Sequence, residues 1–292
     1  MESKISVIFL ASSLFVIMLG MGLSLSVVDF KRIAVYPKAV LTGLAAQIIA
    51  LPVIGYLIAS TFSLRPEISV GIMVLAACPG GPTSNLITHL SKGDTALSVT
   101  LTALSSFVTI LTIPFVINFS LVNFLHQDQV IKLNVVETIA QILIITIIPV
   151  TIGMIINAKS PSFALKMDKP VRIASAIVLF LVIAGIIVKE RENFVGYFKE
   201  AGLASLALNV GSMLVGFVLG KALKLNKAQS LTISIEAGIQ NGTLAITIAT
   251  TLLASTQMAI APAVYSLIMF GTGIAVILFS QKTQKSGIAK TI

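Results

Sequence analysis

The chain has 292 residues, 56% of them hydrophobic and only 11% charged, with a formal net charge of +9. Soluble domains carry about 25% charged residues, so a water-soluble globule of this length is excluded. One cysteine, Cys78, rules out an internal disulfide and a cysteine-based metal cluster, and His89 and His126 are too few and too far apart for a zinc site.

Apolar runs of about 20 residues, the length that crosses a bilayer, recur between charge clusters. They predict nine membrane-spanning helices at 5–28, 37–59, 67–91, 95–118, 133–156, 171–188, 201–222, 228–252 and 258–280. The connecting loops are short, leaving no room for a soluble domain. The first run follows Lys4 and could be a signal peptide, but it is long and the basic pair Lys31–Arg32 lies beyond it. That pattern keeps the run as a span and turns its start outward.

Span 2 carries Gln47 and Pro52, and span 4 carries Ser98 and Thr102, which are i and i+4 and so share a helix face. Spans 3 and 8 are unlike the rest. Span 3 contains Cys78-Pro79-Gly80-Gly81-Pro82-Thr83-Ser84-Asn85 near its middle, a run that no unbroken helix supports. Span 8 contains Glu236-Ala237-Gly238-Ile239-Gln240-Asn241-Gly242-Thr243, again polar and glycine-bearing. Broken backbone at membrane depth is tolerated only where protein or a water-filled cavity satisfies it.

Because spans 3 and 8 are an odd number of crossings apart, they run in opposite directions. This predicts an inverted repeat, with repeat one at 5–118, a connector span at 133–156 and repeat two at 171–280. Discontinuous helices at matching places in inverted halves point to a transporter binding site. Fourteen of the 20 Lys and Arg, among them Lys31, Arg32, Lys166, Lys221 and Lys282, fall on one side of these spans. The positive-inside rule then places the N-terminus outside and the C-terminus in the cytoplasm of a multi-pass cell-membrane protein. The basic excess is a topology signal, not a nucleic-acid patch.

Glu236 is the only acidic residue well inside a span, and no Lys or Arg lies at its depth. A charged carboxylate there costs on the order of 2.5–3.5 kcal/mol to insert, so it needs a bound cation, a proton or water. Alternatively, it is a protonated group bonded between helices. Na⁺ prefers oxygen donors, and Gln47, Ser84, Asn85, Ser98, Thr102 and Gln240 supply them at comparable depth. The half-helices that begin near Thr83 and Asn241 would present free N–H groups to an anion. No nucleophile–base pair, HExxH motif, phosphate loop or enzyme-type carboxylate cluster is present, so the reading is a carrier rather than an enzyme. Coupling to Na⁺ leads, coupling to H⁺ through Glu236 is the alternative, and a channel or intramembrane enzyme ranks behind both.

Cys78-Pro-Gly-Gly-Pro-Thr-Ser-Asn85 and Ile235-Glu-Ala-Gly-Ile-Gln-Asn241 resemble the two crossover motifs of the bile acid:sodium symporter family. Gly20-Met-Gly-Leu-Ser-Leu25, Gln47 with Pro52, and Ser98 with Thr102 extend the resemblance over nearly the whole chain. It implies an all-α membrane protein with a core domain built on two crossing broken helices, a smaller panel domain and two sodium sites. Site one would use Ser84, Asn85, Ser98, Thr102 and Glu236. Site two would use Gln47, Glu236, Gln240 and the backbone carbonyls of Ala237 and Ile239. The substrate, a small organic anion, would meet Asn241, Pro82, Thr83 and Met269. No cofactor or transition metal is expected beyond Na⁺ as coupling ion. The nine-span pattern resembles the animal members more than ten-span bacterial ones. Pro82 stands where bile-acid-transporting bacterial relatives have Thr, and Met269-Phe270 where they have His-Asn, which argues against bile acid as substrate.

Overall fold

The computed structural model describes residues 2–125, 133–192 and 194–288; His126 and Lys132 of the loop after span 4 lie outside them. The described residues are helical apart from short connections and one isolated antiparallel bridge, Gly80 to Gln240. In chain order the helices are α1 (Glu2–Leu23), α2 (Val27–Lys31), α3 (Pro37–Ala45), α4 (Leu51–Thr61), α5 (Pro66–Ala77), α6 (Thr83–Leu90) and α7 (Thr95–Phe124). There follow α8 (Val135–Lys159), α9 (Pro161–Lys189), α10 (Phe194–Ala222), α11 (Lys227–Gly238), α12 (Gly242–Thr247) and α13 (Ile260–Ile288).

Among the described residues, six helical stretches are long and apolar enough to cross a membrane. The number is seven if the first pair, bent by 72° between Ser12–Leu23 and Val27–Ala34, is one span. That bend has a local cause. The Asp29 carboxylate accepts from the Ser26 N–H at 2.8 Å and the Ser26 hydroxyl at 2.7 Å, restarting the chain as a new helix. The first span therefore stops at Leu23 rather than near residue 28.

α3 and α4 form one stretch joined by a π-turn at Ala46–Ala50, where the Leu51 N–H bonds the Ala46 carbonyl. Pro52, which has no N–H to give, follows directly, and the wider turn absorbs the disruption. α9 also departs from the expected 171–188. It starts at Pro161, runs 29 residues and passes through Pro170. The carbonyl that Pro170 leaves without a donor belongs to exposed Lys166, at the charged end of the helix where water can reach it.

Side chains such as Phe115, Phe180, Leu214 and Phe279 are between 60% and 74% exposed, an outward apolar surface fit for lipid rather than water. The polar helices are inside. Every residue from Ile68 to Gly81 and from Thr232 to Ala249 is buried, so α5, α11 and α12 lie at the centre of the molecule. Their starts are well defined: Pro66 opens α5, and Asn226 caps α11 by accepting from the Gln229 N–H at 2.8 Å.

Candidate functional site

The helix α5 stops at Ala77 because Cys78 turns extended (φ −74°, ψ 156°), and α6 restarts at Thr83. In the same way α11 stops at Gly238, Ile239 is extended (φ −108°, ψ 90°), and Asn241 caps α12 by accepting from the Leu244 N–H at 3.0 Å. The two gaps meet. The Gly81 N–H donates to the Ile239 carbonyl at 2.8 Å, and the Asn241 N–H returns to the Pro79 carbonyl at 2.9 Å. Such an approach requires glycine: a Cβ on Gly81 would lie 2.7 Å from the Gln240 carbonyl oxygen.

This crossing places Glu236 against α6 and α7. Its Oε1 accepts from the Ser84 hydroxyl at 2.5 Å and closely from the Ser98 hydroxyl, and its Oε2 accepts from Thr102 Oγ1 at 2.9 Å. Asn85 Oδ1 closes the group, 2.8 Å from Ser98 Oγ and 3.4 Å from Thr102 Oγ1. Ser84, Ser98 and Thr102 are fully buried and Glu236 is 1% exposed. The five residues expected of site one are thus brought together.

Each of the three hydroxyls has one hydrogen to give. They face both oxygens of Glu236, Asn85 Oδ1 and, for Thr102, the Ser98 carbonyl at 3.1 Å. Close oxygen–oxygen approaches therefore outnumber the hydrogens that can fill them at one buried point. Such a cluster suits a hard cation. Among the described residues no Lys, Arg or His pairs with Glu236, and no group of three His, Cys, Asp or Glu could hold a transition metal.

Of the expected site-two residues, Gln47 and Gln240 converge on the backbone carbonyls of Glu236 and Ala237. Gln47 Nε2 donates to the Glu236 carbonyl at 3.2 Å, and Gln240 Nε2 donates to the Glu236 and Ala237 carbonyls at 3.2 and 2.8 Å. The side-chain oxygens of both glutamines are buried and without a partner. The Ile239 carbonyl already accepts from Gly81, which leaves it one lone pair. Gly80 admits this packing, since a Cβ there would be 2.7 Å from Gln47 Nε2 and 2.8 Å from Glu236 Oε2.

Pro82, Thr83, Asn241 and Met269 line one cavity of about 400 Å³, with Asn85 and Gln240 in the same wall. Asn241 is 3% exposed, and its Nδ2 has no partner. Further lining residues were not singled out in the sequence: Ile17, Met21 and Ser24 from the α1 end, and Val171, Ser175 and Leu179 from α9. Apolar residues on an apolar span carry no chemical mark, and the close packing of Gly20 against Val171 is visible only in the fold.

Comparison with known proteins adds a family. The profile described as Sodium Bile acid symporter family matches residues 11–197. The uncharacterized sodium-dependent transporter YocS of Bacillus subtilis (strain 168) is 30% identical over 239 residues, 80% of this chain and 71% of that protein. The probable chloroplastic sodium/metabolite cotransporter BASS1 of Arabidopsis thaliana is 28% identical over 80% of this chain, which spans 57% of its length. The hepatic sodium/bile acid cotransporter of Rattus norvegicus is 29% identical over 82% of this chain, which spans 67% of its length.

Proposed function

Since the chain belongs to the sodium bile acid symporter family, a family of sodium-dependent transporters and not of enzymes, we propose that it is a secondary carrier coupling Na⁺ to an organic anion by alternating access. The observation that carries this reading is the crowding of buried oxygens around Glu236, with more close approaches than hydrogens to fill them. Without a cation, a carboxylate surrounded by three hydroxyls and an amide oxygen is short of positive charge, and among the described residues no basic side chain supplies it.

In this reading Ser84, Asn85, Ser98, Thr102 and the Glu236 carboxylate ligate one Na⁺. Gln47, Gln240, Glu236 and the Ala237 and Ile239 carbonyls ligate a second. Site two is supported by the unpartnered oxygens of Gln47 and Gln240, which lie where an acceptor has nothing to accept from. The substrate anion occupies the cavity beside them, held by Asn241 Nδ2, the Thr83 hydroxyl and the attraction of the bound cations, with Pro82 and Met269 in its wall. Asn85 and Gln240 face both the cavity and the cation positions, which gives a short route for each ligand to strengthen the other.

The nine-span, inverted-repeat arrangement belongs to the same proposal. The pairs α5/α6 and α11/α12 each count as one crossing, with the N-terminus outside and the C-terminus cytoplasmic. The reciprocal bonds Gly81 to Ile239 and Asn241 to Pro79 support it, since each half contributes equivalent atoms to the crossing.

Thermal unfolding of the purified protein in NaCl against KCl at equal ionic strength tests the cation sites directly, because a ligand that binds the folded state raises its stability. Selective stabilisation by Na⁺ is expected. Equal stability in both salts, with stabilisation on lowering the pH, would replace Na⁺ by H⁺ as the coupling ion.

A further inference from the structure

The backbone of α11 ends among carbonyls that have no intrahelical donor, and in a buried segment each needs one from elsewhere. The carbonyls of Glu236, Ala237 and Ile239 take theirs from Gln47, Gln240 and Gly81, all part of the crossing. Gly238 is different. Its carbonyl accepts from Asn209 Nδ2 on α10 at 2.7 Å and from the Tyr265 hydroxyl on α13 at 2.9 Å. Both side chains are fully buried, and neither α10 nor α13 contributes to the oxygen cluster at Glu236.

The next residue, Ile239, is extended (φ −108°, ψ 90°), and along extended backbone successive carbonyls point to opposite sides. Drawing the Gly238 carbonyl toward α10 and α13 therefore turns the Ile239 carbonyl the other way, toward Gly81. Asn209 does this while leaving its own Oδ1 buried without a partner. An orphan acceptor is destabilising, so an apolar residue of the same size would serve better if packing were its whole role.

We infer that Asn209 and Tyr265 are positioning residues for the second cation position. They act from behind the broken helix, fixing the Gly238–Ile239 peptide so that the Ala237 and Ile239 carbonyls converge on the Gln47 side. The inference rests on the sodium reading of that position proposed above.

The test uses the full-length protein in detergent, with Na⁺ alone as the probe. Thermal unfolding is titrated with NaCl, replaced by KCl at constant ionic strength, for the wild type, Glu236→Gln, Tyr265→Phe and Asn209→Leu. Tyr265→Phe keeps the ring and removes only the hydroxyl. Asn209→Leu keeps the volume and removes both the donor and the orphan oxygen. Each is expected to raise the half-saturating Na⁺ concentration by about 3- to 10-fold, the effect of one ordinary hydrogen bond. In KCl alone Asn209→Leu should melt no lower than the wild type, a combination that a purely structural role does not produce. Wild-type half-saturation in both variants overturns the inference. So does a loss of stability in KCl with an unchanged half-saturation. If Tyr265→Phe fails to fold, Asn209→Leu decides alone, and failure of both to fold marks the pair as structural pins and overturns the inference. A Na⁺ response in the wild type that Glu236→Gln abolishes and these variants retain removes only this inference. A wild type indifferent to Na⁺ removes the sodium reading and this inference with it.

Discussion

Gly80 and Gln240, 160 positions apart in the chain, face each other as a single antiparallel bridge at the centre of the molecule. That contact makes one site out of two interruptions. It sets the carboxylate of α11 against the hydroxyls of α6 and α7, and it joins the proposed cation positions to the cavity lining at Asn85 and Gln240.

Glu236→Gln should fold, since a neutral amide is easier to bury than a carboxylate. It keeps one carbonyl oxygen but removes the charge that offsets Na⁺ in a low-dielectric site. Stabilisation by NaCl over KCl is expected to vanish, and uptake driven by a Na⁺ gradient in proteoliposomes with it. A folded variant that still concentrates substrate on that gradient would show Glu236 to be structural.

Thr102→Val is nearly isosteric and deletes one hydroxyl from the group around Glu236 Oε2. A hydrogen bond to a charged group contributes about 1.5–3 kcal/mol, which corresponds to a loss of roughly 10- to 150-fold in Na⁺ affinity if the same oxygen ligates the cation. Isothermal titration with NaCl measures it. An unchanged affinity would exclude Thr102 from the first cation position.

Gly81→Ala inserts a methyl group 2.7 Å from the Gln240 carbonyl oxygen, so the two crossing segments must separate. Overpacking of this kind costs about 1–3 kcal/mol. Because the displaced atoms are backbone, with no flexible side chain to yield, both the melting temperature and the Na⁺ response should fall. Wild-type values for both would mean that the crossing can open without consequence.

The proposed orientation can be read with impermeant thiol reagents. After Cys78→Ala, single cysteines at Ser63 and Ala222, both exposed, should behave oppositely. Ser63→Cys should react in intact cells, and Ala222→Cys only after permeabilisation. Labelling of both from outside would overturn the nine-span count.

Bile acids should be poor substrates. Pro82, Met269 and Phe270 give the cavity an apolar lining where the family resemblance placed a hydroxyl, an imidazole and an amide, while Asn241 Nδ2 is the donor proposed for a carboxylate. Taurocholate uptake into vesicles on a Na⁺ gradient should stay near background. Saturable uptake at micromolar concentration would show that those three positions do not select against it.

Much of this was legible without coordinates. Hydrophobic runs and basic loops mark a membrane protein, because insertion energetics act on each segment separately. Pro79, Gly80, Gly81 and Pro82 break a helix through their own backbone chemistry, and a carboxylate at the depth of Glu236 needs a cation, a proton or water. The side-chain oxygens at comparable depth were readable as cation donors, but their division into site one and site two, with the Ala237 and Ile239 carbonyls, came only from the resemblance of the two crossover motifs to the family. What stood outside reach was everything set by a neighbour distant in sequence. Which hydroxyl meets which oxygen of Glu236 depends on the Gly80–Gln240 crossing. The cavity lining at Ile17, Met21 and Leu179 depends on the packing of α1 against α9. The hold of Asn209 and Tyr265 on Gly238 depends on α10 and α13 both reaching the end of α11. Local chemistry decides where a chain breaks and which atoms want a cation; only packing decides which of those atoms share one.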